Sequence, residues 1–170
     1  MVKVKILEME ILKELATYNI WANKRLFDFI NLLPTEKQEL YVESSFSSLQ
    51  LTILHMLDAE SIWWQRLKLA ERLIIPSQQP LKSTTDLINE LLLQNQVWEQ
   101  WVHHANPNQF EYVFAYQNSK KEQYKQPVWK MLTHVFNHGT YHRGQLVTII
   151  RQLGDLKIPS TDFIEWCRKK

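Results

Sequence analysis

The chain has 170 residues, of which 45% are hydrophobic, and its 20 Lys and Arg against 18 Asp and Glu give a formal net charge of +2. This composition predicts one globular domain over residues 1–170 that buries a core without a structural metal. The small charge excludes a dedicated nucleic-acid partner, which calls for a clustered basic face. Export signals and long apolar runs are absent from the sequence, and Cys167 is its single cysteine, so a soluble cytoplasmic protein without a membrane segment is expected.

Long amphipathic helices are predicted from apolar residues at spacings of three and four. The first spans about residues 5–32. The second follows the Ser-rich stretch 44–48, which supplies N-cap oxygens, and runs to about Leu73. The third begins after the polar segment 83–86 and ends before Pro107. Loops are expected between these helices, because prolines and polar residues interrupt the periodic pattern there.

A short change of periodicity precedes the last long helix. Aromatic residues recur at every second position from Phe110 to Tyr116 and are followed by a polar turn at 117–120, which predicts a small hairpin within residues 110–126. Pro127 then opens a fourth helix that extends to Gly154. A short helix is expected after Pro159. The predicted fold is all-α, a four-helix bundle with a small β-hairpin before the last long helix.

Three histidines form one stripe on the predicted fourth helix. His134, His138 and His142 stand four residues apart, a spacing at which two neighbours can grip one metal ion. His134 and His142 are separated by about 12 Å along a helix axis, so all three cannot share an ion and two pairs remain. Gly139 and Gly144 flank the second pair and indicate close approach of a neighbouring chain or ligand, which favours His138 and His142.

A third ligand has to come from another helix that faces inward. His55 is the candidate, because it lies within the apolar segment 53–57, where an uncompensated imidazole is unfavourable. A buried histidine with an ordinary hydrogen-bond partner, or a histidine pair without any ligand, stays an alternative at this point. His103 and His104 lie at the polar end of the third helix and are expected on the surface.

Several segments together resemble the DinB/YfiT-like family of metal-dependent enzymes. The segment Phe136–Leu146 resembles the family's C-terminal metal-binding signature, and Tyr18–Asn23, Leu54–Glu60 and Pro159–Trp166 are similar to its other motifs. The resemblance implies a helix-bundle fold, a homodimer and a divalent ion, commonly zinc or nickel. It also implies that the metal ligands are His55, His138 and His142, and that the chemistry involves low-molecular-weight thiols.

Other polar residues near the expected ligands could support a metal site. Asp58 and Gln145, each about one turn from a histidine, are candidates to hold the imidazole tautomers. Arg143 is a candidate to attract an anionic substrate or thiol, although a surface salt bridge is the expectation that the sequence favours. Glu60 and Tyr141 are weaker candidates for proton transfer. Each residue could also be an ordinary polar residue of a helix surface.

Two functions fit this set of residues. Three neutral imidazoles leave a divalent ion with an open position, so the chain could be an enzyme, a thiol transferase or a hydrolase. Such an enzyme would activate a low-molecular-weight thiol or water toward a small electrophilic substrate. Alternatively, the chain could be a non-catalytic metal or small-molecule binding protein of a stress response. A bundle whose histidines bind nothing is disfavoured by the paired glycines.

Overall fold

The computed structural model describes residues 2–118, 120–154 and 157–168. The helices and strands follow in chain order: α1 Val2–Asn31, α2 Thr35–Glu39, α3 Leu49–Leu67, a 3₁₀ turn Pro76–Gln78, α4 Thr84–His104, α5 Pro107–Glu111, β1 Val113–Gln117, β2 Gln123–Pro127, α6 Val128–Gln152 and α7 Phe163–Cys167. The four long helices α1, α3, α4 and α6 pack into a bundle. The predicted fold class, an all-α bundle with a small hairpin before the last long helix, is confirmed.

The helix starts follow local chemistry that the sequence reveals. Ser48 caps α3 by accepting the amide of Leu51 at 3.1 Å, and Ser83 caps α4 by accepting the amide of Asp86 at 3.1 Å. Residue Phe163 begins α7, the short helix expected after Pro159. These caps matter for the site because the register of α3 is set at its first turn.

Some predicted boundaries are wrong. The second long helix, α3, ends at Leu67 rather than near Leu73, because Leu69 adopts a positive φ of 54° that ends the helical path. Pro127 is the last residue of β2 instead of the first of the helix, and α6 starts at the next residue. The short helix α2 occupies a segment expected to be a loop. The hairpin begins at Val113 and not at Phe110, because α5 extends to Glu111.

The hairpin joins α5 to α6 and covers one end of the bundle. Strands β1 and β2 pair antiparallel, with Val113 opposite Pro127 and Gln117 opposite Gln123. Phe114 points inward and is almost completely buried. The expected polar turn includes Ser119, which lies outside the described residues, as do Lys169 and Lys170.

Two apolar clusters form the core at opposite ends of the bundle. One cluster contains Leu26, Phe27, Ile53 and Leu146, and the other contains Trp98 and Leu132 among its buried residues. On each long helix, polar or small residues lie between the two clusters, so a polar layer crosses the middle of the bundle. Trp63, Trp64 and Trp101 pack against the second cluster as partly buried walls. Among the described helices, none has the length and apolar character that crossing a bilayer requires.

Candidate metal centre

Three imidazoles from two helices meet at one point beside the polar layer. His55 comes from α3, and His138 and His142 come from successive turns of α6. The Nε2 atom of His138 lies 3.2 Å from Nε2 of His55 and 2.9 Å from Nε2 of His142. Each residue offers a nitrogen within 4.8 Å of the others, and His142 is the most buried of the three. The structure therefore brings together the three residues that the sequence indicated.

The orientation of His142 is fixed by a neighbouring amide. Its Nδ1 atom lies 2.7 Å from Oε1 of Gln145, while Nε2 of that amide faces the hydroxyls of Ser45 and Tyr141. A carbonyl oxygen only accepts hydrogen bonds, so Nδ1 of a neutral His142 carries the proton. The lone pair of the ring therefore resides on Nε2 and faces the other two imidazoles. Gln145 lies where a residue that selects the metal-binding tautomer would have to lie.

Burial keeps the three rings neutral. It lowers the pKa of His138 to about 3, with smaller contributions from the charges of His142, His55 and His134. Burial also lowers the pKa of His55 and of His142, in the second case against an opposing hydrogen bond to Gln145. Metal ligation requires neutral imidazole, so these rings are ready to bind at neutral pH.

The donor set fits a tetrahedral divalent ion. Zinc–nitrogen bonds of about 2.05 Å in a tetrahedral arrangement place the nitrogen atoms roughly 3.3 Å apart. The two Nε2 to Nε2 distances that involve His138, 3.2 and 2.9 Å, are close to that separation. Three nitrogens that point at one another cannot all be satisfied by mutual hydrogen bonds between neutral rings, whereas a single cation satisfies them together.

An aromatic side chain that the sequence did not indicate covers the site. Phe46, from the segment between α2 and α3, stacks on His55 with ring centroids 4.1 Å apart and an interplanar angle of 20°. Its ring also meets the ring of His142 at 5.7 Å. The sequence predicted only a helix cap in the Ser-rich stretch. An aromatic residue of a loop that folds over a site has no periodic pattern by which the sequence would identify it.

The remaining histidines stay outside the triad. The ring of His134 lies 5.7 Å from that of His138 and 5.4 Å from that of Trp63, beside the second apolar cluster. His103 and His104 are exposed, as expected, and His103 contacts Thr17. The pair favoured from the flanking glycines, His138 and His142, is thus the pair that meets His55.

Arg143 lies in the core rather than on the surface, so the favoured expectation of a surface salt bridge is wrong. The side chain is only 2% exposed, and its guanidinium donates to Asn19, Asn23 and Thr140. These contacts place the guanidinium in the polar layer. The physical reason is that Arg143 shares the buried face of α6 with Gly139 and Leu146.

Asp58 and the glycines also differ from expectation. Asp58 accepts a hydrogen bond from the backbone amide of Ser77 at 2.9 Å. This bond holds the loop after α3 and not the His55 ring. At Gly139 a Cβ atom would lie 2.8 Å from Oδ1 of Asn19, which confirms close approach there. At Gly144 no atom outside the neighbouring backbone of α6 lies within 4 Å of an added Cβ, so no other part of this chain approaches that glycine closely.

The two candidates for proton transfer occupy different environments. Glu60 is buried, and burial raises the pKa of its carboxyl to about 7 against the opposing effects of Asn95, Asn19 and Arg143. The Glu60 carboxyl accepts hydrogen bonds from Asn19 and Asn95. Tyr141 is 62% exposed, and its hydroxyl accepts a hydrogen bond from Gln145.

Comparison with known proteins agrees with this architecture. The chain is 29% identical over 160 residues to Protein DinB of Bacillus subtilis (strain 168), which covers 88% of this chain and 90% of that protein. The fold is similar to a DinB-like protein from Bacillus cereus ATCC 10987, with a TM-score of 0.65 and 17% identity over 85% of this chain and 91% of that chain. A DinB-like protein from Bacillus subtilis gives a TM-score of 0.63 and 13% identity over 87% and 96%.

The likeness to the two solved structures shows the fold alone, because the sequence identities are low. The family model gives the stronger statement, since its match extends over nearly all of the chain, from residue 3 to residue 168. This range includes all three histidines of the cluster as well as the polar layer behind them. The chain belongs to the DinB family.

Proposed function

We propose that this protein binds one divalent metal ion through the Nε2 atoms of His55, His138 and His142. The observation that carries the proposal is the convergence of three imidazole nitrogens from two helices at separations of 2.9 and 3.2 Å. Their lowered pKa values support it, because neutral rings bind a cation without first losing protons. Imidazole ligands suit zinc and nickel, the two ions that the family resemblance indicates.

The same site supports a metal-dependent enzyme as the function. When bound, a divalent ion with three neutral protein ligands acts as a Lewis acid and lowers the pKa of a water or a thiol. The chain's own residues hold the ligands for this chemistry: Gln145 keeps the proton of His142 on Nδ1, and Phe46 stacks on His55. We propose a low-molecular-weight thiol or water as the nucleophile and a small electrophilic molecule as the substrate.

A non-catalytic metal-binding protein is the second candidate, and one observation favours it. Glu60 and Tyr141 accept hydrogen bonds from side-chain amides and not from an imidazole nitrogen. Both side chains are therefore already engaged by amide groups, and neither set of contacts identifies a residue for proton transfer. A site that only stores or senses an ion needs no such residue.

Rates with and without thiol distinguish the two candidates. Zinc-loaded and nickel-loaded protein would be mixed with bacillithiol or glutathione and a chromogenic electrophile such as 1-chloro-2,4-dinitrobenzene. The enzyme proposal predicts a metal-dependent rate that His138→Ala abolishes. Stoichiometric metal binding with no rate above that of His138→Ala would support the non-catalytic protein instead.

The homodimer expected from the resemblance remains a prediction. One chain carries all three imidazoles, so metal binding requires no second copy. Sedimentation velocity at micromolar concentration checks the assembly, and a single monomeric species would contradict the dimer without affecting the metal site.

A further inference from the structure

The polar layer between the two apolar clusters is built from side chains of all four long helices. Its members are each 2% exposed or less, and none belongs to the histidine triad. They are Asn19 and Asn23 on α1, Glu60 on α3, Asn95 on α4 and Arg143 on α6. Burying a carboxylate and a guanidinium is unfavourable unless both are well paired, so this layer requires an explanation.

These side chains close a ring of hydrogen bonds. Nη1 of Arg143 donates to Oδ1 of Asn19 at 2.6 Å and to Oδ1 of Asn23 at 2.9 Å. Nδ2 of Asn19 then donates to Glu60 at 3.4 Å. On the other side, Nδ2 of Asn23 donates to Asn95 at 2.8 Å, and Nδ2 of Asn95 donates to Glu60 at 2.5 Å. Two amide chains thus connect the guanidinium to the carboxylate.

All three amides in the ring have the same polarity. Each asparagine accepts with its oxygen on the side that leads to Arg143 and donates with its nitrogen on the side that leads to Glu60. This direction matches the chemistry of the two ends, because a guanidinium only donates and a carboxylate only accepts. With Glu60 ionised, the ring is therefore an ion pair that is relayed through aligned amide dipoles.

Asn19 connects the ring to the helix that carries two of the histidines. Its Oδ1 atom packs against Gly139, where a Cβ would lie 2.8 Å away, and accepts from Arg143. Gly139 directly follows His138, and Arg143 directly follows His142. Asn19 is thus held against both ligand-bearing turns of α6.

The other end of the ring lies on the helix that carries the third histidine. Glu60 is five residues after His55 on α3 and accepts the Nδ2 hydrogen bond of Asn19. A single side chain of α1 therefore bonds to both metal-bearing helices. The rise of a helix is about 1.5 Å per residue, so a slide of α6 by even one residue would break this bridge and separate the imidazoles.

We propose that this ring, with Asn19 as its bridge, is a positioning device that fixes α6 relative to α3 and so holds His55 within reach of the other two ligands. The inference rests on the proposed metal site and assigns a role to side chains that do not touch the ion.

The test compares zinc affinity in Asn19→Leu with that in Leu26→Ala. Leu has nearly the shape of Asn but cannot bridge the helices, and we expect loss of the bridge to weaken zinc binding by about tenfold, the lower end of the effect of removing a hydrogen-bond partner of a ligand. Leu26 is a fully buried residue of the same helix and belongs to the apolar cluster that contains Phe27 and Ile53. Its truncation therefore lowers stability without touching the ring. We expect weaker zinc binding and altered visible bands of bound Co²⁺ in Asn19→Leu, and parental values in folded Leu26→Ala.

A second variant covers the case that Asn19→Leu does not fold. Gly139→Ala displaces Asn19 while every polar group is retained, and Gly144→Ala is its control on the same helix. Zinc affinity should fall in the first variant and stay parental in the second. Parental affinity and Co²⁺ bands in Gly139→Ala, or in a folded Asn19→Leu, would overturn the positioning role alone. A parent chain that binds no zinc would overturn the proposed metal site and the positioning role with it.

Discussion

Substituting alanine for each of the two glycines inside α6 is expected to change the free energy of unfolding in opposite directions. A glycine in a helix interior is less favourable than alanine by about 0.8–1 kcal/mol. No atom would lie within 4 Å of a Cβ at Gly144, so nothing opposes this gain. We therefore expect Gly144→Ala to raise the free energy of unfolding by about 1 kcal/mol.

At Gly139 the same gain is opposed by the polar layer. The new Cβ would lie 2.8 Å from Oδ1 of Asn19 and 3.3 Å from Nη1 of Arg143, so Asn19 has to move. Its hydrogen bond from Arg143, now 2.6 Å long, is then lost or distorted. A hydrogen bond to a charged group contributes about 1.5–3 kcal/mol, so Gly139→Ala should lower the free energy of unfolding by a net 0.5–2 kcal/mol or so.

Urea denaturation in the presence of chelator measures both changes without any contribution from bound metal. For a chain of this length, 1 kcal/mol corresponds to about 2–4 °C in Tm, so thermal unfolding resolves the difference as well. Equal stabilisation by the two substitutions would refute the reasoning, because it would mean that Asn19 yields without loss of a stabilising bond.

Three further predictions concern the histidines and the start of α3. The pKa of His138 is about 3 in the folded chain and near 6.5 when unfolded, so the unfolded chain binds an extra proton as the pH falls. Metal-free stability should therefore decrease from about pH 6.5 toward pH 3, and urea titrations should show a shallower decrease in His138→Gln. Gln145→Leu should weaken zinc binding by about 10- to 100-fold in calorimetry, whereas Asp58→Asn should have the smaller effect, and the reverse order would contradict the assigned contacts. Ser48→Ala should reduce the free energy of unfolding by about 1 kcal/mol through loss of the α3 cap, and an unchanged urea midpoint would refute that role.

Local periodicity predicted the bundle and the pair His138 and His142, whereas the full triad followed from the family resemblance. Four-residue spacing places His138 and His142 on one face of α6 wherever that helix lies, and the apolar segment around His55 made that residue a candidate third ligand. The Ser-rich stretch and the segment before α4 contain the side chains that cap these helices. Such features require no knowledge of the partner helix.

The polar layer was not predicted, although part of its signal was present. Arg143 stands four residues after Gly139 and three before Leu146, which places it on the buried stripe of α6. Glu60 likewise stands three residues after the buried Leu57. A charged residue at such a position indicates a buried pair, but the sequence does not reveal that asparagines of α1 and α4 complete it.

Contacts made by loops were beyond the reach of periodicity. Phe46 covers His55, and Asp58 holds the amide of Ser77, 19 residues away along the chain. Both contacts depend on the path of a connecting segment, which follows from tertiary packing and not from the spacing of apolar residues. The extent of α3 was overestimated for a similar reason, because apolar residues continue past Leu69, where the backbone leaves the helix.

The most direct test of the metal centre is the zinc content of the parent chain measured beside His55→Ala and His138→Ala. Protein without an affinity tag would be equilibrated with zinc, freed of unbound ion and analysed by plasma emission spectroscopy, with circular dichroism to verify folding. The proposed site predicts about one ion per parent chain and loss of that ion in both folded variants. A parent chain without zinc or nickel, or equal metal content in all three proteins, would contradict it.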